Sequence, residues 1–348
     1  MRILFFTKYT NKGPSSRYRT YNYLRFYREY KVYSFHDDSY SPKASFNLKY
    51  LFKIYFRRLY NILKIKKKDI VFVEYEFLPY IPFLSIYFKL FKIKYIVDYD
   101  DAIFHVYDQN SNLLIKFFLK RKISKVIKHS SAVITGSPYL TRYALNYNKN
   151  VFEIPTSIDF DRYFNSSTKK QDTEKFIIGW IGSKTTSKNL LFLIPIFNDL
   201  KNMGYNFQIN LIGFDEELKE NFKNLPVKFI DWKKETEIKE ISLFSVGIMP
   251  LENNLFNKGK CAFKLIQYMA CGIPTISSKF EANIKVDRNN DNFFANTQND
   301  WKQVFQEIFK IKSKLEAIGE RNKQVIKEHY SIQANNRKYQ EIFLTLNN

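Results

Sequence analysis

Residues 258–275 read KGKCAFKLIQYMACGIPT, and residues 247–251, which read GIMPL, form an apolar run shortly before them. The apolar run predicts a buried strand, and the longer stretch predicts a helix. Gly272 and Pro274 mark the end of that helix, because glycine closes helices and proline cannot continue them. A strand followed by a loop and a helix predicts an α/β fold.

Polar residues recur within this helical stretch. Lys260, Lys264 and Gln267 are spaced by three or four residues, which predicts that they share one helix face. A face of ammonium and amide groups near a helix start suits phosphates and ribose hydroxyls. A solvated basic face without a ligand is the alternative interpretation.

The same alternation of short apolar runs and helical patterns extends along the chain, as is typical of parallel sheets covered by helices. The predicted strands are residues 3–6, 32–35, 70–73, 95–97, 132–135, 176–181, 207–212, 227–230, 246–249 and 275–277. The polar stretch 166–174 interrupts the pattern and is interpreted as a linker. The prediction is two doubly wound, Rossmann-like domains, residues 1–165 and 175–330, followed by a terminal helix in residues 331–348.

Composition limits the classes of protein. The chain has 348 residues, 45% of them hydrophobic and 26% charged, which excludes a collagenous or wholly disordered chain. Its two cysteines, Cys261 and Cys271, lack partners at metal-ligand spacing and are expected to be reduced, buried thiols. No signal peptide or membrane-spanning stretch is recognised, so a cytoplasmic location is expected.

The charge is strongly positive and unevenly distributed. The formal net charge is +22, of which +16 lies in residues 1–164. Such a charge attracts nucleic acids, anionic lipids or diphosphates. Over-use of Lys, Asn, Ile, Phe and Tyr, as in an AT-rich coding sequence, explains part of it without a function.

Three loops follow predicted strands and carry candidate site residues. The loop after the first strand contains Gly13, Ser15, Ser16 and Arg17. Ser15 or Ser16 is expected to cap the next helix with Arg17 in its first turn, which would form an acceptor or phosphate loop. A solvated loop is the alternative.

Carboxylates cluster after the fourth strand. Asp98, Asp100 and Asp101 fall within four residues, and alternation along a strand puts Asp98 and Asp100 on one face. Such crowding raises the pKa of at least one of them or recruits a cation or sugar hydroxyl. The alternative is that they cap the following helix.

A loop of small, hydroxylated and basic residues opens the second half. Gly182, Ser183 and Lys188 lie in GWIGSKTTSK, residues 179–188. Backbone N–H groups, hydroxyls and ammonium groups together suit a diphosphate.

These motifs, in this order, resemble the GT-B glycosyltransferases, and within them glycosyltransferase family 4. The resemblance covers nearly the whole chain and includes the passages 13–19, 98–101, 154–159, 179–182 and 249–274. It implies two Rossmann-like domains facing each other across a cleft, with the acceptor on the first domain and the nucleotide on the second. It also implies that the final helix packs back on the first domain.

The resemblance further implies transfer from a nucleotide-diphosphate sugar, linked to UDP or GDP, with retention of the anomeric configuration. No cofactor or metal is implied. Lys188, Lys260 and Lys264 are candidates to stabilise the diphosphate, with Gly182, Ser183 and Gln267 completing the donor site. Asp100, Asp101 or the leaving phosphate oxygen would take the acceptor proton.

The chain departs from the family pattern at three points. The pattern places two glutamates where this chain has Gly259 and Gln267, and a histidine where Asp100 and Asp101 stand. Because Gly259 lacks this carboxylate, one alternative hypothesis is that the protein is a catalytically inactive scaffold. A nucleic-acid-binding protein is the other alternative, although no zinc finger, helix-turn-helix or RNA-binding motif is present.

The basic first half has a second interpretation. Residues 49–68 and 113–128 mix aromatic and aliphatic side chains with Lys and Arg, and residues 82–91 are strongly apolar. Such helices can lie on an anionic bilayer, which predicts a peripheral protein of the inner membrane face and an acceptor on a lipid. The alternative is that the apolar residues face the core.

Overall fold

The computed structural model describes residues 2–41, 47–166 and 175–347. The chain forms two compact units. The first unit contains Met1–Ser157, Lys258–Cys261 and Asn335–Asn348, and the second contains Ile158–Asn257 and Ala262–Ala334. The first stretch of the first unit therefore ends at Ser157, whereas the domain boundary predicted from the sequence is at residue 165. Apart from Ser166, the proposed linker at 166–174 lies outside the described residues.

The first unit contains a parallel sheet of six strands. They are β1 (Ile3–Thr7), β2 (Tyr30–Ser34), β3 (Ile70–Glu74), β4 (Tyr95–Tyr99), β5 (Ala132–Thr135) and β6 (Val151–Glu153), in the spatial order β2-β1-β3-β4-β5-β6. Every residue of β1, β3 and β4 is buried, because both faces of the sheet are covered. The order reverses between β1 and β3, and ligands of open α/β sheets bind at such a reversal.

Helices connect these strands. They are α1 (Pro14–Arg19), a 3₁₀ helix (Tyr21–Phe26), α2 (Leu48–Leu63), α3 (Leu84–Leu90), α4 (Phe104–Asp108), α5 (Leu113–Leu119), α6 (Lys122–His129) and α7 (Pro138–Leu145). Parallel strands are joined by right-handed crossovers, so the connections from β2 to β5, all in one direction across the sheet, lie on the same face. That face therefore carries α2, α3 and α4 to α6.

The second unit contains another parallel sheet of six strands. They are β7 (Phe176–Ile181), β8 (Phe207–Ile212), β9 (Val227–Ile230), β10 (Val246–Met249), β11 (Thr275–Ser277) and β12 (Phe293–Phe294), in the order β12-β11-β10-β7-β8-β9. Here the order reverses between β7 and β10. The carboxyl ends of these two strands therefore form the ligand-binding position of this sheet.

Helices also cover the second sheet. They are α8 (Phe160–Ser166), α9 (Lys184–Ser187), a 3₁₀ helix (Lys188–Leu193), α10 (Ile194–Asn202), a 3₁₀ helix (Glu216–Phe222), α11 (Glu237–Ser242), α12 (Leu255–Lys258), α13 (Phe263–Ala270), α14 (Glu281–Val286), α15 (Gln298–Lys310), a 3₁₀ helix (Lys312–Lys314) and α16 (Leu315–His329). The α15 helix shows why such segments form. Thr297 and Asp300 make a capping box at its start, and Trp301, Phe305 and Ile308 repeat at helical spacing and are buried.

The terminal helix, α17 (Ile332–Asn347), belongs from Asn335 onward to the first unit. The ring of Tyr339 lies 4.6 Å from that of Tyr23, and the Phe343 ring packs edge-on against Phe5. Lys94 Nζ donates to the Leu346 carbonyl at 2.9 Å. Asn335 Nδ2 also donates to Ser157 Oγ at 3.1 Å. Aromatic packing and hydrogen bonds thus hold the helix against the first unit.

Candidate functional site

The carboxyl ends of β3 and β4 bring acidic side chains together in the first unit. The two strands are in register with Glu74 beside Asp98, and Asp100 and Asp101 follow directly after β4. The carboxyl ends of neighbouring parallel strands lie side by side, so residues distant in sequence meet there. The acidic cluster is therefore a product of the strand register.

Asp98 has a structural partner. Its two carboxylate oxygens accept from Arg19 Nε at 2.9 Å and Nη2 at 2.5 Å, and Arg19 Nη1 donates to the Ile154 carbonyl at 2.7 Å. Both side chains of the pair are fully buried. Burial raises the pKa of Asp98, and the guanidinium opposes that rise. Asp98 thus anchors α1 to the sheet instead of facing a ligand.

Asp100 and Asp101 have different partners. The Tyr75 hydroxyl donates to Asp100, and Lys260 Nζ forms a 2.7 Å ion pair with Asp101. Burial raises the pKa of Asp101, while the Lys260 ammonium opposes the rise. The Asp101 side chain is still 24% exposed. Asp101 is therefore a carboxylate that Lys260 holds in place and that a ligand from solvent can still contact.

The 258–261 segment, counted with the first unit, supplies this lysine. Beside it, the Cys261 thiol donates to the Asp100 carbonyl at 2.9 Å, and the Ser137 hydroxyl donates to the Gly259 carbonyl at 3.3 Å. A Cβ on Gly259 would lie 2.5 Å from the Cβ of Ala102. Gly259 is thus required for close packing, which gives a structural reason for the missing glutamate.

The loop after β1 differs from its prediction. The α1 helix begins at Pro14 with Gly13 as N-cap, and no side chain caps it. The expectation that Ser15 or Ser16 caps the helix is therefore wrong, because both serines lie inside its first turn. Proline favours the first helical position, where no N–H partner is needed. Arg17 is buried in the same helix.

The hydroxyls of this helix instead serve Glu74. Ser16 Oγ donates to Glu74 Oε2 at 2.5 Å, Thr20 Oγ1 donates to Oε1 at 2.6 Å, and the Lys8 backbone N–H donates to Oε2 at 2.8 Å. Burial raises the pKa of Glu74 to about 7, and these three donors lessen the rise. Ser15 lies farther out, where its Oγ accepts from the Tyr75 hydroxyl at 3.3 Å.

Glu74 makes stability depend on pH. Its pKa is about 7 in the folded protein and about 4.3 in an unfolded chain, so between these values the folded state binds more protons. Stability is therefore expected to fall as pH rises through that window. Glu74→Gln removes the titration. Relative to the wild type, this variant should gain about 3 kcal/mol between pH 4.5 and pH 8, measured by urea unfolding. An equal pH dependence in both proteins would contradict the assignment.

A pocket of about 190 Å³ opens beside these groups, at the reversal point of the first sheet. Its lining residues come from the ends of β1, β2 and β3, from α2 and from the α4 region: Lys8, Phe35, His36, Arg58, Glu74, Tyr75, Glu76, Pro79, Tyr80, Ile103, Val106 and Tyr107. Burial lowers the pKa of His36 to about 4, so its ring is neutral at pH 7. The pocket thus combines aromatic rings with buried charges.

In the second unit, two glycines keep the ends of β7 and β8 free of side chains. Gly213 has a φ of +71°, and a Cβ there would lie 2.6 Å from the Gly182 carbonyl oxygen and 3.4 Å from Trp232 Cβ. A Cβ on Gly182 would meet the Trp180 ring at 2.2 Å. The chain's own atoms thus fill the space of both missing Cβ atoms, and the two glycines are half-buried. Together with the Trp232 ring, which is 39% exposed, they are termed the glycine surface.

Basic residues stand near this glycine surface. Lys264, in the first turn of α13, places Nζ 5.6 Å from the centre of the Trp180 ring, against which Gly182 also packs. Lys188 is exposed and has no ion-pair partner within the described ranges. Ser183 is the N-cap of α9, and its N–H donates to Thr186 Oγ1 at 3.1 Å. The structure thus brings Gly182, Lys264 and Ser183 to one edge.

The predicted shared face of Lys260, Lys264 and Gln267 does not form. The α13 helix begins only at Phe263, because Ala262 adopts a left-handed conformation with φ of +55°. Lys260 therefore precedes the helix and pairs with Asp101 in the first unit. Gln267 lies on the helix but is buried.

Gln267 belongs to a polar cluster that the sequence did not reveal. Its amide nitrogen donates to Tyr163 Oη at 3.0 Å and to Glu237 Oε1 at 3.2 Å. Glu237 Oε2 accepts from the Trp232 indole at 2.6 Å. Since these residues are far apart in sequence, no spacing signal pointed to them. Glu237 fixes the exposed indole beside the glycine surface.

The described residues contain neither a metal-binding cluster nor a membrane-spanning helix. No group of three His, Cys, Asp or Glu side chains in that part of the chain is placed to hold a metal ion. No helix within it is both long and apolar enough to cross a membrane.

The fold is that of the GT-B glycosyltransferases. Residues 175–313, which lie in the second unit apart from the 258–261 segment, match the family model described as "Glycosyl transferases group 1". No curated protein sequence matches the chain.

Solved structures share the fold over nearly the whole chain. Anabaena HepE, solved with UDP, has a TM-score of 0.74 and 12% identity, covering 99% of this chain and 100% of HepE. HepE was also solved with UDP-glucose. A glycosyltransferase from Rickettsia africae has a TM-score of 0.70 and 15% identity, covering 98% of this chain and 97% of its own. Sucrose-phosphate synthase from Thermosynechococcus elongatus has a TM-score of 0.69 and 13% identity, with 99% of each chain covered.

Proposed function

We propose that this protein is a retaining glycosyltransferase of the family 4 type. It transfers a sugar from a nucleotide-diphosphate sugar to a glycan or lipid-linked acceptor, in the synthesis of a bacterial surface polysaccharide such as lipopolysaccharide or capsule. The observation that carries the proposal is the glycine surface of the second unit, which lies inside the segment matching group 1 glycosyl transferases.

The donor occupies this surface. The half-buried backbone at Gly182 and Gly213 forms its floor, and the Trp232 ring offers a stacking face for the base. Ser183, Lys188 and Lys264 bind the diphosphate. Gln267 contributes indirectly, because it donates a hydrogen bond to Glu237, which in turn holds the Trp232 indole. The HepE complexes favour UDP over GDP as the nucleotide.

The main catalytic requirement of sugar transfer is stabilisation of the departing diphosphate. The acceptor oxygen bonds to the anomeric carbon while the bond from that carbon to the diphosphate oxygen breaks. Negative charge then develops on the diphosphate, and fixed ammonium groups lower the energy of that state. Lys264 is the central group, because its contact with Trp180 holds its position before the reaction.

The acceptor binds the first unit and loses its proton there. Asp101 is held by Lys260 and remains reachable, so it can accept the proton, as can Asp100 or the departing phosphate oxygen. Gly13, Ser15, Ser16 and Arg17 are assigned to the acceptor or phosphate loop, and Ser15 is linked to Asp100 because the Tyr75 hydroxyl contacts both.

Exposed apolar side chains support attachment to the inner face of the cytoplasmic membrane. On α2, Phe52 and Phe56 are 74% and 63% exposed, and Phe117 and Phe118 on α5 are each 71% exposed. Cations alternate with them, at Lys49, Lys53, Arg57, Lys64, Lys66, Lys67, Lys68, Lys116, Lys120 and Arg121. Because α2 and α5 lie on the same sheet face, this surface suits anionic lipid headgroups.

Membrane attachment predicts a specific loss of vesicle binding. Phe52→Ser combined with Phe56→Ser should weaken co-sedimentation with phosphatidylglycerol-rich vesicles at least tenfold, because each ring contributes about 1.5–3 kcal/mol when buried. Phe164→Ser combined with Leu344→Ser, which also removes two exposed apolar groups, should leave binding unchanged. Equal losses in both pairs would contradict a defined membrane surface.

Trp232 makes the base site observable. Trp180 and Trp301 are buried, so nucleotide-dependent fluorescence changes should come from Trp232. Trp232→Leu is expected to abolish this change and weaken UDP binding about tenfold, since a stacked base contributes about 1–3 kcal/mol. Phe192→Leu, another exposed aromatic of the second unit, is the matched control. An unchanged UDP affinity in Trp232→Leu would place the base elsewhere.

Ligand-induced stabilisation tests the donor assignment. Thermal unfolding is measured with the diphosphates of uridine, guanosine, cytidine and adenosine and with their sugars. A ligand at 100 times its Kd should add about 2.7 kcal/mol to stability. Stabilisation by one nucleotide, and more by one of its sugars, supports the donor site. If no nucleotide stabilises the protein, the donor site is wrong and an inactive scaffold is the better account.

A further inference from the structure

The pocket of the first unit has an unusual balance of charge. Two basic and two acidic side chains line it besides His36: Lys8, Arg58, Glu74 and Glu76. Both carboxylate oxygens of Glu76 have partners. Lys122, which does not line the pocket, forms an ion pair with one oxygen, and the hydroxyl of Tyr107, which does, donates to the other at 2.7 Å. This carboxylate is therefore neutralised by a lysine of its own.

Glu74 is not an ion-pair partner for the pocket cations. Both its oxygens accept from Ser16, Thr20 and the Lys8 backbone N–H, as described above. With a pKa of about 7 it is also largely protonated over part of the physiological range. Neither the Lys8 ammonium nor the Arg58 guanidinium therefore forms an ion pair with a carboxylate that lines the pocket.

Arg58 is the clearest case. Its side chain is buried, with the residue 2% exposed, and its donors reach only carbonyl oxygens, Nε to Phe77 at 2.9 Å and Nη1 to Tyr33 at 2.5 Å. Among the described residues, its Nη2 group has no hydrogen-bond partner. Burial lowers the pKa of Arg58 to about 9. A buried guanidinium with a vacant donor beside a pocket fits an anionic ligand.

Lys8 completes the arrangement from the end of β1. Its Nζ lies 5.2 Å from the centre of the Tyr9 ring and 5.1 Å from that of Tyr75, and it forms no ion pair within the described part of the chain. Burial lowers its pKa, but Tyr9, Asp101 and Asp100 outweigh that effect, so Lys8 stays charged. Two charged donors therefore meet at one pocket.

We propose that this pocket binds an oxyanion of the acceptor, a carboxylate or a phosphate attached to a sugar ring, through Lys8 and Arg58. The inference rests on the proposed function, because it names the acceptor class of the same enzyme. A volume of about 190 Å³ is several times the share of one water in the liquid, about 30 Å³. The rings of Phe35, Tyr80 and Tyr107 provide apolar faces for the sugar.

Equilibrium binding without any donor tests this proposal. Methyl glucuronide, glucose 6-phosphate, inorganic phosphate and neutral methyl glucoside are titrated calorimetrically into the full chain. The acidic sugars should bind at least tenfold more tightly than methyl glucoside. Preference for the glucuronide assigns a carboxylate, and preference for glucose 6-phosphate with binding of inorganic phosphate assigns a phosphate.

Variants separate the pocket from the general positive charge. Lys8→Met should reduce the preference for the acidic sugar below threefold. Lys149→Met removes an exposed charge just before β6, at the amino ends of the strands, and should keep the preference for the acidic sugar. Arg58→Lys retains the charge but not the forked donor, and should lose most of the preference while its circular dichroism stays unchanged. Equal binding of neutral and acidic sugars, or equal losses in Lys8→Met and Lys149→Met, would overturn the proposal.

The outcome is separable from that of the proposed function. Acidic sugars that bind but never receive a sugar would refute glycosyl transfer and leave the anion pocket standing. Transfer to neutral acceptors alone, with no preference for acidic sugars in binding, would refute the anion pocket and support glycosyl transfer.

Discussion

Lys264→Ala is expected to lower kcat/KM for the sugar donor by about 100- to 1,000-fold, the usual effect of removing one preorganised group that stabilises developing charge. The expectation follows from the position of Lys264 at the start of α13, where its ammonium lies over the Trp180 ring beside Gly182. Affinity for UDP should also fall, whereas uridine should bind as before. Steady-state kinetics and nucleotide titrations measure both effects.

A matched substitution controls for charge. Lys310→Ala removes an exposed lysine at the end of α15, a helix that follows β12 and runs back to the opposite sheet edge. It should leave kcat/KM within twofold of the wild type. If Lys264→Ala is equally harmless, Lys264 does not contact the diphosphate.

Arg19→Met should produce the largest loss of stability, about 3–5 kcal/mol, because it leaves the fully buried Asp98 carboxylate without its ion-pair partner. Denaturant unfolding measures the loss. Arg25→Met, an exposed arginine close by in the chain, should change stability by less than about 0.5 kcal/mol.

The variant should also become pH-dependent in a defined direction. Without Arg19, burial and the nearby Asp100 charge act on Asp98 unopposed and raise its pKa further above the unfolded value. The folded state then binds the extra proton, so the deficit of Arg19→Met should shrink as pH falls. Adding Asp98→Asn should recover part of the loss at neutral pH. A deficit that is independent of pH would show that lost packing, not an unpaired carboxylate, causes it.

The positions of most strands could be predicted from the sequence because most strands are buried on both faces. Runs such as 70–73 and 176–181 are continuously apolar, and each became a strand. The structure adds β6 and β12, which have three and two residues and lie at sheet edges. Such short edge strands are too brief for a periodic signal and depend on the neighbouring strand.

The site was predicted at the level of loops but not of partners. Sequence position alone placed Asp100, Asp101, Gly182 and Lys264 after strands or at a helix start, as the structure has them. The helix face that joined Lys260 to Lys264 was wrong, since the left-handed Ala262 interrupts the spacing. Backbone conformation at one residue, which spacing cannot reveal, decided that outcome.

Partners distant in sequence were beyond prediction. The pairing of Asp101 with Lys260 joins residues far apart in the chain, as does the contact of Gln267 with Glu237. Such pairs depend on strand register and helix packing. The vacant donor of Arg58 is of the same kind. Its spacing from Ile54 and Ile62 puts Arg58 on the buried face of α2, but its carbonyl partners follow only from tertiary packing.

The most direct test of the central claim is transfer itself. The full chain is incubated with each nucleotide sugar that stabilises it and with a panel of neutral and acidic nitrophenyl glycosides, and the product is analysed by mass spectrometry and NMR. The proposed function predicts one added sugar per acceptor with the anomeric configuration of the donor, and a rate that Lys264→Ala lowers at least 100-fold. A product of inverted configuration would contradict the retaining assignment. Absence of transfer, with nucleotide release no faster than in Lys264→Ala, would contradict glycosyl transfer altogether.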